Sequence, residues 1–333
     1  DIATWCAMQG LQVTIQDTST EALGRVVGRA NDAFKRRYRK DKLRIRNAQD
    51  NLIPDLHGHG IAKADVIIEA IFEDLEAKRT LFKDIEKRAR VGAILATNTS
   101  SIVLSDIATV MEQPDRLVGL HFFNPVIKMP LVEVIYTPEQ TEPDVIRLAQ
   151  CFSAHINKLP LAVKSSPGFL INRILMPYIL EGVIANQEGI PVSVIDKACT
   201  DFGMPMGPLE LADTVGLDIC LHVGEIVADT VGVTIPDALN KSIQSGNLGK
   251  KTGQGFYQWK KSKKLEATKG NAKEPWNGDP QALQDRLIGK LLHESQRCLD
   301  EGLVEDADLL DAGVIFGTGF APFLGGPLHT SQV

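Results

Sequence analysis

Leu11-Gln12-Val13-Thr14-Ile15-Gln16-Asp17 alternates apolar and polar side chains with the period of a half-buried strand and ends on an acid. Residues 1–9 before it have the pattern of the rear of a helix, which Gly10 terminates. A long polar helix over 20–40 leads through a loop to Asp65-Val66-Ile67-Ile68-Glu69-Ala70, a buried strand. A helix over Glu73–Arg90, a strand over Ala93–Ala96, a short helix over Ser105–Met111 and a strand over Arg116–Phe122 follow. Strands alternating with helices predict an α/β architecture with a parallel, doubly wound sheet.

From Ser165 the pattern changes to long helical periods without strands, over 172–188, 192–202 and onward to 245. The segment 261–277, with Lys260-Lys261-Ser262-Lys263-Lys264 at its head and Gly, Asn and Pro further on, has the composition of a linker. Beyond it the chain repeats a pattern. Arg173, Glu181, Glu188-Gly189, Asp196 and Gly203-Met204-Pro205-Met206-Gly207-Pro208 are echoed by Arg286, Glu294, Glu301-Gly302, Asp311 and Gly317-Thr318-Gly319-Phe320-Ala321-Pro322. A duplicated helical unit accounts for this, as do two unrelated amphipathic helix pairs. The expected organisation is a sheet domain over 1–164, a helical domain over 165–260, the linker, and a second, partial helical domain over 278–333.

Composition narrows the function. With 44% apolar and 23% charged residues the chain is an ordinary globular protein, and a formal charge of -6 disfavours general nucleic-acid binding. The dense positive stretch is Lys35 to Arg46, which suits either a polyanionic ligand or a solvated helix face. Five dispersed cysteines, without a CxxC, point to thiols in a reducing compartment. No signal-peptide pattern opens the chain, and its most apolar window, 168–185, is broken by Asn172, Arg173 and Glu181, so no transmembrane segment is expected. The expected location is the cytoplasm of a bacterium, or a mitochondrial matrix.

Candidate chemistry centres on His121, at the head of His121-Phe122-Phe123-Asn124-Pro125, and on Glu133, twelve residues later. Histidine accepts a proton near neutral pH, and a buried carboxylate can fix its tautomer and favour the imidazolium. A core histidine in the apolar run Val118–Phe123 is the competing reading. Asp17, at the tip of its strand, stands where a dinucleotide fold hydrogen-bonds the adenosine ribose, and Thr18-Ser19 after it, in place of an arginine, favours NAD over NADP. A first strand with its Gly-x-Gly-x-x-Gly turn is not found in these residues. Gly58-His59-Gly60 follows a Pro/Asp/His loop and is a decoy. The expectation is a fragment of a Rossmann-type domain that begins just after the phosphate loop.

The segments Asp65–Glu73, Thr97-Asn98-Thr99-Ser100-Ser101, Gly119–Pro125, Ser166–Arg173, Met204–Pro208 and Leu248–Tyr257 together resemble the NAD-dependent L-3-hydroxyacyl-CoA dehydrogenases of fatty-acid β-oxidation. The tail from Asp279 to Leu328 is similar to the second helical unit of the multifunctional α-chain of the fatty-acid oxidation complex. The resemblance implies oxidation of L-3-hydroxyacyl-CoA to 3-oxoacyl-CoA with NAD, His121 as general base, and Glu133 orienting it. It implies Ser100 and Asn172 on the substrate oxygen, with Asn172 alternatively on the thioester carbonyl. For NAD it implies Asp17, Ala70, Glu73, Lys78, Asn98, Ser100 and Asn124, and for coenzyme A Lys40. In the intact protein it implies an enoyl-CoA hydratase domain, a thiolase subunit as partner and homo-oligomer contacts. By themselves Ser100 reads as a helix cap, Asn172 as a helix-surface amide and Lys78 as a surface lysine. The other readings kept open are a non-catalytic relative unable to hold NAD, and a related NAD-dependent hydroxyacid dehydrogenase without CoA.

Overall fold

Trp5, Cys6 and Ala7 bury the inner face of α1 (Ile2–Met8), and Gly10, at φ +92°, ends the turn in a conformation that costs glycine little. The computed structural model describes residues 1–267 and 276–331. β1 (Val13–Ile15) is shorter than its alternation and pairs in parallel with β2 (Leu52–Pro54). Between them run α2 (Thr20–Tyr38), capped by the Ser19 hydroxyl on the Ala22 N–H, and α3 (Lys42–Asp50). The pattern of apolar residues predicts neither α3 nor β2. α3 buries only Ala48, so it has almost no apolar period to detect, and it is set by the Asp41 cap on the Arg44 N–H.

A second sheet follows, in the order β3 (Val66–Glu69), β4 (Ile94–Thr97), β5 (Leu117–Phe122), β6 (Leu131–Tyr136), β7 (Leu159–Lys164). α4 (Leu75–Arg88), α5 (Leu104–Ala108) and α6 (Pro143–His155) alternate with these strands. Every pairing is parallel except β5 with β6, which is antiparallel because a short turn joins them directly. The expected all-parallel sheet is thus corrected at one place, and that place sets His121 opposite Glu133. Both sheets share a core. Ile94, Val118, Leu120 and Val134 are buried in it, and Val13 of β1 and Val66 and Ile68 of β3 pack against it. These elements form one compact unit, Asp1–Ser165.

The second unit, Ser166–Val333, is built on α7 (Ile171–Gln187), α8 (Val192–Phe202), α9 (Pro208–Val215), α10 (Leu217–Val231) and α11 (Asp237–Gln244). It is not strand-free. β8 (Tyr257–Lys260) and β9 (Lys263–Ala267) form an antiparallel hairpin, with Tyr257 and Trp259 buried and Gln258 and Lys260 exposed. β9 therefore occupies the head of the expected linker, while 268–275 of that linker lie outside the described residues. α12 (Pro280–Asp300), α13 (Ala307–Thr318) and α14 (Pro327–Ser331) complete the unit. No helix among the described residues is long and apolar enough to cross a membrane.

The internal repeat takes physical form here. Asp196 on α8 accepts the Leu209 and Glu210 N–H groups at the start of α9, and Asp311 on α13 accepts those of Leu328 and His329 at the start of α14. Each helix start is a Gly-Pro pair, Gly207-Pro208 and Gly326-Pro327. The counterpart of Pro208 is thus Pro327 and not Pro322, because Pro322–Leu324 forms an extra 3-10 turn in the second copy.

Candidate active site

His121 and Glu133 are register partners on β5 and β6, so their side chains leave the same face of the sheet side by side. The Nδ1–Oε2 distance is 2.6 Å, with His121 6% exposed and Glu133 fully buried. A carboxylate at Nδ1 holds that nitrogen as the donor and leaves Nε2 the basic one. The Phe123 ring lies 4.5 Å from the imidazole centroid, tilted by 55°. A buried carboxylate paired with the imidazole satisfies a core histidine and also orients a catalytic one.

Beside the dyad, the C-terminal ends of the parallel strands β3, β4 and β5 are tied together by side chains. Glu69, ending β3, accepts the Lys78 ammonium at 2.8 and 2.9 Å, the Thr97 hydroxyl at 2.6 Å and the Ile71 N–H at 2.6 Å. Lys78 is completely buried, so the surface-lysine reading is overturned; its ammonium also lies 3.4 Å from Glu73. Glu69 and Thr97 were not among the predicted site residues. The signal for Glu69 was an acid closing an apolar strand.

Glu73 precedes α4, whose N-cap is Asp74, and is therefore free to turn to the loop after β4. Its carboxylate accepts the Thr99 hydroxyl at 2.5 Å, the Ser101 hydroxyl at 2.9 Å and the Ser100 N–H at 3.0 Å, with the Ser100 hydroxyl at 3.4 Å. Burial pushes the Glu73 carboxyl up, but these hydrogen bonds and the Lys78 charge outweigh it and hold the group below its ordinary range. The Ser100 loop is thus fixed by an anion at its base. Asn98 directs Oδ1 to the Phe122 N–H at 3.0 Å, locking the β4 loop to the residue after His121.

The other predicted residues sit as follows. Asp17 is exposed just past the end of β1 and accepts the Ser19 N–H at 3.1 Å; Ala70 and Asn124 are exposed, at the ends of β3 and β5. Lys40 is exposed in the turn between α2 and α3. Asn172 is the second residue of α7 and belongs to the second unit. The first unit by itself brings together His121, Glu133, Asn98, Ser100, Glu73 and Lys78. The cysteines are unpaired thiols, with Cys151 exposed and the others buried.

Residues 1–166 match the family model for the 3-hydroxyacyl-CoA dehydrogenase NAD binding domain, and residues 168–259 match that for the 3-hydroxyacyl-CoA dehydrogenase C-terminal domain. The fatty acid oxidation complex subunit alpha of Shewanella putrefaciens is 37% identical over 332 residues, covering 96% of this chain and 47% of that protein. The chain thus spans about half the length of the curated relatives it matches. Among solved structures, 3-hydroxybutyryl-CoA dehydrogenase from Escherichia coli K12 superposes with a TM-score of 0.86 at 27% identity, over 99% of this chain and 88% of that one. The (S)-3-hydroxybutyryl-CoA dehydrogenase of Ralstonia eutropha gives a TM-score of 0.73 at 33% identity, over 78% of this chain and 94% of its own.

Proposed function

This chain belongs to the 3-hydroxyacyl-CoA dehydrogenase family, and we propose that it carries the site at which an L-3-hydroxyacyl-CoA is oxidised to the 3-oxoacyl-CoA. The observation that carries the reading is the buried 2.6 Å contact of His121 with Glu133 at the strand ends of an NAD binding domain. NAD would be held by Asp17, Ala70, Asn98 and Asn124 and would supply the hydride acceptor for C3. His121 Nε2 takes the hydroxyl proton, and the Glu133 carboxylate stabilises the imidazolium that results. The Ser100 hydroxyl donates to the substrate oxygen, with Ser100 held by its backbone N–H on Glu73; the family resemblance assigns Asn172 a donor role toward the substrate.

The residues present fit a dinucleotide. Asp17 offers an exposed carboxylate at a strand tip, Ala70 brings only a methyl group to the crevice, and Asn98 and Asn124 flank the dyad strand. Lys78, paired with Glu69, acts on the cofactor through Glu73. Lys40 takes a phosphate of coenzyme A, with the basic stretch around it. Membership of a fatty acid oxidation complex follows the relatives' name; a thiolase subunit as partner, self-association of the intact protein and a cytoplasmic location complete the proposal on the family resemblance alone.

The test is NADH oxidation by the natural full-length protein with acetoacetyl-CoA. Turnover that falls when the charges of Lys35–Arg46 are removed supports both the activity and the CoA contact. NAD reduction by free hydroxy acids with no NADH oxidation by acetoacetyl-CoA would replace the substrate class, and no turnover on either would remove the reading.

A further inference from the structure

The two strands that bear the dyad are joined by residues 123–130, and that turn is held from the side by a buried lysine. Lys158 is the last residue before β7 and is only 5% exposed. Its ammonium donates to the Val126 carbonyl and, at 2.6 Å, to the Met129 carbonyl. The Trp5 ring lies beneath it, 4.3 Å from Nζ to the centroid, and the Trp5 indole N–H donates to the Ile156 carbonyl at 2.8 Å, fixing the turn that delivers the lysine. No carboxylate among the described residues lies within ion-pair distance of Lys158.

An ammonium has three donors and no acceptor. Here two carbonyls and an aromatic face take its positive charge, and burial pulls its pKa down. Plain packing is served better by methionine, because a charge buried without an acid is costly. What the charge secures is geometry. The Leu159 N–H, next in sequence, donates to the Pro130 carbonyl at 2.8 Å, and Leu159 is the register partner of Leu131, where β6 begins. The Lys128 and Met129 N–H groups donate to Pro125, closing the turn on itself at 2.8 and 3.0 Å. The turn is therefore fixed between β5, whose His121 must meet Glu133, and β7, from which Lys158 reaches in.

We infer that Lys158 is a positioning residue for the dyad: its ammonium clamps the β5–β6 turn and so holds His121 against Glu133. The effect on turnover rests on the function proposed above, whereas the effect on geometry does not. Releasing the two carbonyls lets β5 and β6 shift against each other, and a displacement of about 1 Å in a catalytic group lowers the rate about 100-fold.

The experiment compares Lys158→Met and Lys158→Arg with wild type in the natural full-length protein. It reads kcat and KM for acetoacetyl-CoA, and the far-downfield proton resonance of the Nδ1–Oε2 hydrogen bond, assigned by its loss in His121→Gln. Lys158→Met is expected to fold, lose the resonance, and drop kcat about 10- to 100-fold while KM stays within about threefold. Lys158→Arg, which keeps donors for the carbonyls, is expected to recover part of both. A folded Lys158→Met that keeps the resonance and kcat within about twofold overturns the inference. If Lys158→Met does not fold, Lys158→Thr, which opens the carbonyls to water, is read in the same way; failure of both to fold also overturns it, since the lysine would then serve folding alone. A wild type without turnover, whose resonance Lys158→Met abolishes, sinks the proposed function and leaves the clamp standing.

Discussion

Arg173, near the start of α7, donates to Glu294 of α12 at 2.7 Å and to Glu301 just past its end at 2.7 and 2.8 Å, while Arg286 of α12 makes the mirrored contacts with Glu181 of α7 and Glu188 just past its end. The two copies of the repeat thus exchange arginines. They differ in burial, with Arg173 1% and Arg286 34% exposed at the side chain. Arg173→Ala takes from the buried Glu294 one of its two arginine partners, leaving Arg297 at 2.9 Å, and is expected to cost about 2–3 kcal/mol, whereas Arg286→Ala costs about 1 kcal/mol. Urea unfolding of both variants decides it; equal losses would contradict the burial argument.

Gly207 and Gly326 do the same work in the two copies. A Cβ at Gly207 would meet the Asp196 Cα and Oδ1 at 2.3 Å, and one at Gly326 would meet Asp311 Cβ at 2.3 Å. Alanine at Gly207 is expected to cost about 1–3 kcal/mol by overpacking. Gly24 on α2 has open space around it, and alanine there should stabilise by about 0.5–1 kcal/mol through helix propensity. Thermal midpoints that move the same way in both variants would refute this reading.

The Lys78–Glu69 pair is the buried anchor beneath the Ser100 loop. Lys78→Met leaves the Glu69 carboxylate buried without a counter-charge and should cost about 3–5 kcal/mol. Adding Glu69→Gln removes that charge, so the double variant is expected to be less destabilised than the sum of the singles by about 2 kcal/mol. Additive losses in a double-mutant cycle would show that the two groups act independently.

Asp196 gives the second unit a pH dependence. Burial pushes its carboxyl up to about 6 from 3.8, against the hydrogen bonds from Tyr257, Leu209 and Glu210. A carboxyl raised in the folded state contributes stability that is present below its unfolded value and is lost as pH rises through its folded value. Wild type should therefore lose about 3 kcal/mol relative to Asp196→Asn between about pH 4 and pH 7. Parallel stability curves for the two proteins over that range would show that Asp196 titrates normally.

The fold was legible where apolar residues repeat and silent where they do not. β3, β4, β5, α4, α7 and α8 follow their periods to within a few residues, because each buries an apolar face; β6, α6 and β7 bury apolar residues too, yet the pattern between Phe122 and Ser165 predicts none of them. α3 buries one alanine, and the β8–β9 hairpin carries Gln258, Lys260, Lys263 and Lys264, so polarity masked both. His121 and Glu133 could be paired from sequence only as a possibility. Their opposition depends on the single antiparallel step in the sheet, which follows from the short 123–130 turn and not from any local pattern. Lys158 gave no signal, since a lysine between Ile156 and Leu159 looks like any strand entry; its meaning lies in carbonyls about thirty residues away in sequence.

In the proposed reaction His121 moves the proton. His121→Gln in the natural full-length protein keeps the ring-sized polar contact but removes the base. NADH affinity is expected to stay within about threefold of wild type, with kcat for acetoacetyl-CoA reduction lowered about 10²- to 10⁴-fold. Turnover near the wild-type rate would remove His121 from the mechanism.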